Sequence, residues 1–291
     1  MITEHAKHWL TQALANIDAL PAMPAIALKL MALKLDSVAG EAQLMTLIEQ
    51  DPQISAKLIS LANSPAIGLA RKVCSIGEAS LLLGLDRVKA VALGIAVISN
   101  FPQLPGSQNF APQDLWLHSL TIAIAMHTLS LSMPEHLRPQ HDQIYLAGLL
   151  HDIGYMAIHY LDNAASNELH HQLRLQPKRP VMEIELQTLG ASHCYIGAQL
   201  ARQWRLPEEI ITVLGYHHDP YVDQVADNNP LVRLVNLAEK LLPNFGITEY
   251  CGSEIGGHEW RALGINPEKA DELRDNINEL AIQAAQIADV F

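Results

Sequence analysis

At 291 residues the chain lies at the upper edge of what one hydrophobic core serves, roughly 250–300 residues. With 49% hydrophobic and 17% charged residues, it is too apolar and too weakly charged for intrinsic disorder. Nineteen basic residues stand against 31 acidic ones, a net charge of −12. With no basic stripe on top of that, nucleic acid and anionic membrane surfaces are poor partners.

The N-terminal residues Met1-Ile2-Thr3-Glu4-His5 carry no basic region ahead of an apolar run, so no leader is expected. Beyond them, Ile26, Leu30, Leu33 and Leu35 predict a helix after the Pro21 and Pro24 punctuation. Leu44, Leu47 and Ile48 predict a second, ending near Asp51-Pro52. Ile54, Leu58 and Leu61 predict a third, stopped by Asn63-Ser64-Pro65, where Asn and Ser suit a cap or turn. Ile76 to Leu83 and Arg87 to Ile98 follow, separated by Gly84. Residues 99–112, with Pro102, Pro105, Gly106 and Pro112, read as a linker that no helix crosses.

A long helix is predicted over Gln113–Met133 and a continuous one over Asp142–Leu161. Others cover Val181–Thr188, Ser192–Trp204, Pro207–His217, Leu231–Leu241 and Pro267–Ile287. No run shows strict period-two alternation, and the expected fold class is all-α. Three parts are expected, 1–108, 109–242 and a C-terminal extension 243–291, packed as one unit or as close neighbours. The most apolar stretches, Val88–Ile98 and Leu117–Met133, are short or interrupted by His118, Ser119, Thr121 and His127, whereas a spanning helix wants about 20 predominantly apolar residues. Cys74, Cys194 and Cys251 contain no CxxC pair, so a reduced, cytoplasmic chain is expected.

The chemistry-bearing residues are the histidines. Eleven of the fourteen fall between residues 118 and 218, several inside strongly apolar helices. In Leu149-Leu150-His151-Asp152-Ile153-Gly154 an ionised Asp in an apolar helix is costly unless it is paired or bound to a cation. The plain alternative is a structural Asp–His pair. His118 opens the helix before it, Ser192-His193 opens a later one, and His217-His218-Asp219 closes another. Imidazole with carboxylate suits Fe, Mn, Zn or Ni. Neighbours on a helix point about 100° apart, so a doublet serves two metals or lets a carboxylate bridge them. Two such ions are a known arrangement for hydrolysing phosphate esters.

The order His118, His151-Asp152, His193, His217-His218 resembles the HD superfamily of metal-dependent phosphohydrolases. The N-terminal half resembles the HDOD family of bacterial signalling domains. The stretches carrying that likeness include Leu20-Pro21-Ala22-Met23-Pro24, Ile48-Glu49-Gln50-Asp51-Pro52, Leu61-Ala62-Asn63-Ser64-Pro65 and Ile76-Gly77-Glu78-Ala79. They continue with Leu83-Gly84, Ala147 to Gly154 and Trp204-Arg205-Leu206-Pro207, over roughly residues 18–242. The resemblance implies an HD-domain, PDEase-like multi-helical bundle with one or two divalent ions. It places His118, His151 and Asp152 at a first metal and His193, His217 and His218 at a second, with Asp152 bridging. The last HD ligand, usually an Asp in a Leu-Ala-Asp helix, is here Glu239 in Leu237-Ala238-Glu239.

The chain departs from catalytic relatives in two places. Cyclic-dinucleotide phosphodiesterases carry a phosphate-contacting Lys shortly after HD, where this chain has Tyr155. The GYP signature after the histidine doublet is absent from Asp219-Pro220-Tyr221-Val222. HDOD proteins are generally regarded as non-catalytic or of unknown activity. The implied function is signalling through a protein partner, with metal retained and no phosphodiesterase turnover. The alternative is an active phosphohydrolase taking a nucleotide or cyclic dinucleotide, with Arg202, Arg205 or Lys240 replacing the Lys and Asp152 as the catalytic carboxylate.

Other candidates have plainer readings. His127 is expected to be a satisfied core or groove residue. Cys194, beside His193, is expected to point away as a small buried hydrophobe. His170-His171 and His5 with His8 lie in polar surroundings and read as surface residues. No glycine-rich phosphate loop and no Ser or Cys nucleophile motif is present.

Overall fold

The computed structural model describes residues 4–64, 71–102, 109–222, 225, 229–242, 247 and 254–285, apart from the side chains of 5, 284 and 285. Among these, no strand occurs. The first helices are α1 (Glu4–Ala15), α2 (Ala25–Ala32), α3 (Val38–Glu49), α4 (Pro52–Ala62), α5 (Ile76–Leu83) and α6 (Leu85–Ile98). Their starts follow local chemistry. Ser37 Oγ accepts from Gly40 N, Asp51 from Gln53 N and Ile54 N, and Ser75 from Glu78 N, each satisfying donors that a helix leaves orphaned. Asn63 ends α4 and exchanges two 2.7 Å hydrogen bonds with the backbone of Val73, so the helix stop also holds Val73 beside the end of α4. Gly84, at φ 88°, lets α5 turn directly into α6 in a conformation that a side chain disfavours.

The second part comprises α7 (Pro112–Leu131), α8 (His141–Leu150), α9 (Ile153–Leu161), α10 (Asn163–Leu175), α11 (Val181–Thr188), α12 (His193–Gln203), α13 (Glu208–Tyr216) and α14 (Pro230–Leu241). Then come α15 (Gly257–Ala262) and α16 (Ala270–Ala285). The helices α1, α10 and α15 were not anticipated from the sequence. Residues 103–108 of the expected linker, Pro65 and Cys251 lie outside the described residues.

One hydrophobic core runs from Trp9 to Ala281. Helix α8 is its axis, packed against α6, α7, α13 and α14. Its residues Ile144 to Leu150 are all buried, which explains why its sequence is apolar on every face. Two glycines set the spacing around the histidines. A Cβ on Gly148 would lie 2.5 Å from Ala123 Cα of α7, and one on Gly154 would lie 2.0 Å from the His193 carbonyl oxygen. The bare glycine backbones therefore let α8 close on α7 and α9 on α12. Helix α16 packs on α7 and α14, so the described C-terminal residues lie against the histidine-bearing part.

One expected element is corrected. Asp142–Leu161 is not a continuous helix, because α8 ends at Leu150 and α9 starts at Ile153. His151 keeps helical angles, whereas Asp152 lies at φ −101°, ψ 12°. The doublet is thus a corner between two helices, and the 100° separation expected along one helix does not govern it.

Candidate metal centre

Most of the cluster residues sit at helix ends, which is how six elements aim at one point. His151 follows α8 and Asp152 precedes α9. His193 is the first residue of α12, His217 caps α13 and His218 follows it, while His118 lies within α7 and Glu239 within α14. Asp152 occupies a helix N-cap, where a carboxylate ordinarily accepts from backbone N–H groups. Here it makes no such bond and turns inward. Its Oδ2 lies 3.4 Å from His118 Nε2 and 3.2 Å from His151 Nε2, and its Oδ1 lies 3.2 Å from His193 Nε2 and 3.4 Å from His217 Nε2. One carboxylate therefore faces two pairs of imidazoles, one pair on each oxygen.

Glu239 closes the other side. Oε1 lies 3.5 Å from His151 Nε2 and 3.7 Å from His217 Nε2, and Oε2 lies 3.4 Å from His218 Nδ1. The longer Glu side chain thus reaches the ring of histidines. All seven residues singled out from the sequence converge.

The far sides of the rings fix their tautomers. His151 Nδ1 donates to the Gly148 carbonyl at 2.8 Å and His217 Nδ1 to the Val213 carbonyl at 3.0 Å. His193 Nδ1 donates to Glu185 Oε1 at 2.6 Å. A carbonyl or an ionised carboxylate only accepts, so in the neutral rings the proton is on Nδ1 and the Nε2 lone pair points inward. His193 and His217 then bring two Nε2 lone pairs within 3.2 Å of each other, and His118 Nε2 lies 3.3 Å from the His151 Nε2 lone pair. Lone pairs at such separations, beside two carboxylates, are stable only around positive charge, supplied by metal ions or by extra protons on the rings. The charged neighbours of the Asp152 and Glu239 oxygens among the described residues are these imidazoles. The donor set fits a divalent metal.

Electrostatics agree with this arrangement. Burial opposes the Asp152 charge, but the His151 charge and hydrogen bonds from His118, His151 and His193 hold the carboxyl well below its usual range. Burial likewise opposes a charged His217, yet Cys194, Glu239 and Asp152 raise the ring to about 10. Each carboxylate and imidazole stabilises the charge of the other.

Three residues sequence reasoning missed or misread now stand out. Glu185 is fully buried, donates nothing, and accepts from both the backbone N and Nδ1 of His193. A carboxylate in the buried face of Val181–Leu186, eight residues before His193, was the available signal. Asn236 donates to the His217 carbonyl at 2.8 Å and fixes the doublet from α14. Cys194 does not point away: its Sγ lies 3.3 Å from His193 Nε2 and 3.9 Å from His217 Nε2. Burial pushes that thiol up, but the three neighbouring histidines bring it down to about 6.

The surface reading of His170 is also corrected. It is buried, stacked on Phe110 at 4.6 Å and 5.1 Å from Tyr155. His8 is exposed, and the side chain of His5 is outside the described residues. His127 is half-buried beside Arg87, with its ring near Tyr145, away from the cluster. Tyr155 is fully buried and stacks on His193 at 4.2 Å and 23°. Of the positive groups that could replace a lysine, Arg202 and Arg205 are exposed, and Lys240 is paired with Glu259 at 2.5 Å. Among the described residues, every ion pair of Asp152 and Glu239 is with a histidine.

An all-helical body around a corner-placed His–Asp doublet and a buried ring of histidines defines an HD-type fold. The HDOD domain family model matches residues 20–220. The chain belongs to the HDOD domain family. It is similar to a structure from Marinobacter aquaeolei, named as a candidate signal transduction protein, with 24% identity and a TM-score of 0.79 over 98% of this chain and 66% of that one. An HDOD domain protein of unknown function from Geobacter sulfurreducens gives 26% identity and a TM-score of 0.71, covering 94% and 98% of the two chains. A Shewanella amazonensis structure, named as a candidate metal-dependent phosphohydrolase, shares the fold at 19% identity and a TM-score of 0.63, over 97% and 100%. An uncharacterized protein of Treponema pallidum is 23% identical over 232 residues, 76% of this chain and 44% of that protein. The chain thus spans less than half of that relative's length.

Proposed function

We propose that this chain is a regulatory HDOD protein of a bacterial signalling pathway, acting in the cytoplasm through contact with a protein partner. Its HD-like cluster holds one or two divalent ions (Fe, Mn, Zn or Ni) and turns over no phosphodiester. His118, His151 and Asp152 would hold one ion and His193, His217 and His218 the other, with Asp152 between them and Glu239 completing the set. Bound metal would supply the positive charge that the inward lone pairs and carboxylates call for, and in a hydrolase it would also activate water.

The observation that carries the inactive reading is the closure of the cluster. His118, His151, Asp152, His193, His217 and Glu239 are all 0% exposed. The stacked Tyr155 ring, where catalytic relatives carry Lys, covers His193. Phosphoryl transfer needs positive charge where the transition state accumulates negative charge, and losing one such contact costs on the order of 10²–10³ in rate. A pocket of about 310 Å³ lined by His218, Tyr221, Asn236 and Lys240 lies beside the cluster and would admit a nucleotide-like ligand, which favours the hydrolase alternative. The test is metal analysis of protein purified without added metal, followed by assays on cyclic dinucleotides, nucleotides and generic phosphate esters with Mn²⁺ or Fe²⁺. Bound metal with negligible turnover is expected. Sustained hydrolysis that disappears in Asp152→Ala would establish the hydrolase instead.

A further inference from the structure

Cys194 takes no part in the donor set that HD-type proteins imply, yet its sulfur sits inside this one. It occupies the second position of α12, one residue after His193, and is 1% exposed. His193, Cys194, His217 and His218 each offer one donor atom, all within 4.8 Å of one another. A tetrahedral ion with metal–nitrogen bonds of about 2.0–2.1 Å and a metal–sulfur bond of about 2.3 Å needs N···N separations of about 3.3 Å and N···S separations of about 3.5 Å. The His193–His217 separation is 3.2 Å, and the sulfur stands 3.3 Å and 3.9 Å from those same nitrogens. The sulfur stands against the His193 Nε2 that carries an inward lone pair, with the His217 ring nitrogens and Met182 Sδ each at 3.9 Å.

We propose that Cys194 is a thiolate ligand, so that the His193, His217 and His218 position is a mixed nitrogen–sulfur site that selects a thiophilic ion, Zn²⁺ or Fe²⁺, over Mn²⁺ and Mg²⁺. The inference rests on the metal-binding reading above. When the ion enters, the S–H bond breaks, the sulfur electron pair forms the metal–sulfur bond, and the proton leaves to solvent with no change of oxidation state. Sulfur fills a coordination position with protein, as in closed structural sites rather than catalytic ones that keep a position open.

Cobalt(II) reads this directly. The metal-stripped full chain is titrated with Co²⁺, as is a Cys74→Ser/Cys251→Ser variant in which Cys194 is the only thiol. Both are expected to show visible ligand-field bands and a near-ultraviolet sulfur-to-cobalt charge-transfer band. Cys194→Ser is expected to lose the charge-transfer band and keep the visible ones. The zinc-loaded double variant should show one sulfur scatterer near 2.3 Å by X-ray absorption, among nitrogen and oxygen at about 2.0–2.1 Å. Visible bands without charge transfer in the double variant would overturn the role of Cys194 and leave the metal-binding reading standing. Failure to bind either ion would overturn both.

Discussion

Glu185 gives both of its oxygens to His193, one to the backbone N–H at the start of α12 and one to Nδ1. The carboxylate thereby favours the helix N-terminus and holds the imidazole in the tautomer that turns Nε2 toward Asp152. Outer partners of this kind orient ligands and tune their basicity, and their loss costs about 10–100-fold in metal affinity. Glu185→Gln should therefore weaken metal binding by that factor with helicity unchanged. Competition against a chromophoric chelator measures it, and unaltered affinity would reduce Glu185 to a helix cap. The seven cluster residues were legible because ionisable groups in apolar surroundings stand out in a sequence. Glu185, Asn236 and Cys194 were not, because each acts through a neighbour that only the folded chain supplies.

At the scale of elements, the corner between α8 and α9 and the approach of α9 to α12 decide where Asp152 points. Gly154→Ala puts a methyl group 2.0 Å from a backbone carbonyl oxygen, which cannot swing aside as a side chain could. Overpacking of this kind costs about 1–3 kcal/mol. It is expected as a lower denaturant midpoint at unchanged slope. An unaffected midpoint would mean that the helices separate freely.

A second element contact gives a pH dependence. Where α6, α7 and α8 meet, His127 faces Arg87, Arg138, His141 and Tyr145. Burial first, then Arg87, His141 and Arg138, lower its pKa from 6.5 to about 3. The unfolded chain takes up a proton below about 6.5, and the folded one does not until about 3. The contribution of this residue is thus fully present above 6.5 and falls as pH drops from 6.5 toward 3. Half-exposure moderates its size. His127→Gln should flatten the fall of stability between pH 6.5 and 4 in urea titrations. An unchanged slope would assign the acid sensitivity to other groups.

For the whole molecule, six elements contribute to the cluster, from α7 to α14 along the chain, so a bound ion ties distant segments together. A ligand that binds only the folded state stabilises it by about 2.7 kcal/mol at a hundredfold excess over Kd. Chelation should lower the Tm by several degrees, and Asp152→Ala should remove that response because it withdraws the carboxylate between the two histidine pairs. Scanning calorimetry with and without chelator reads both. Wild-type protein indifferent to chelation would support rings held together by protons alone.

The amino-acid sequence by itself determined the helical class, most helix limits and the seven ionisable residues that form the cluster. These depend on local periodicity, on Ser, Asp, Gly and Pro at helix ends, and on the cost of burying charge. Tertiary structure alone decided the rest. It broke the helix at His151-Asp152, because convergence of Asp152 on four imidazoles competes with continuing a local hydrogen-bond pattern. It buried His170 against Phe110 and Tyr155, although polar neighbours flank it in the chain. It also turned Cys194 toward His193 and His217, since the direction of a side chain at a helix N-terminus follows from what packs around it, and here α9 and α13 supply that surrounding.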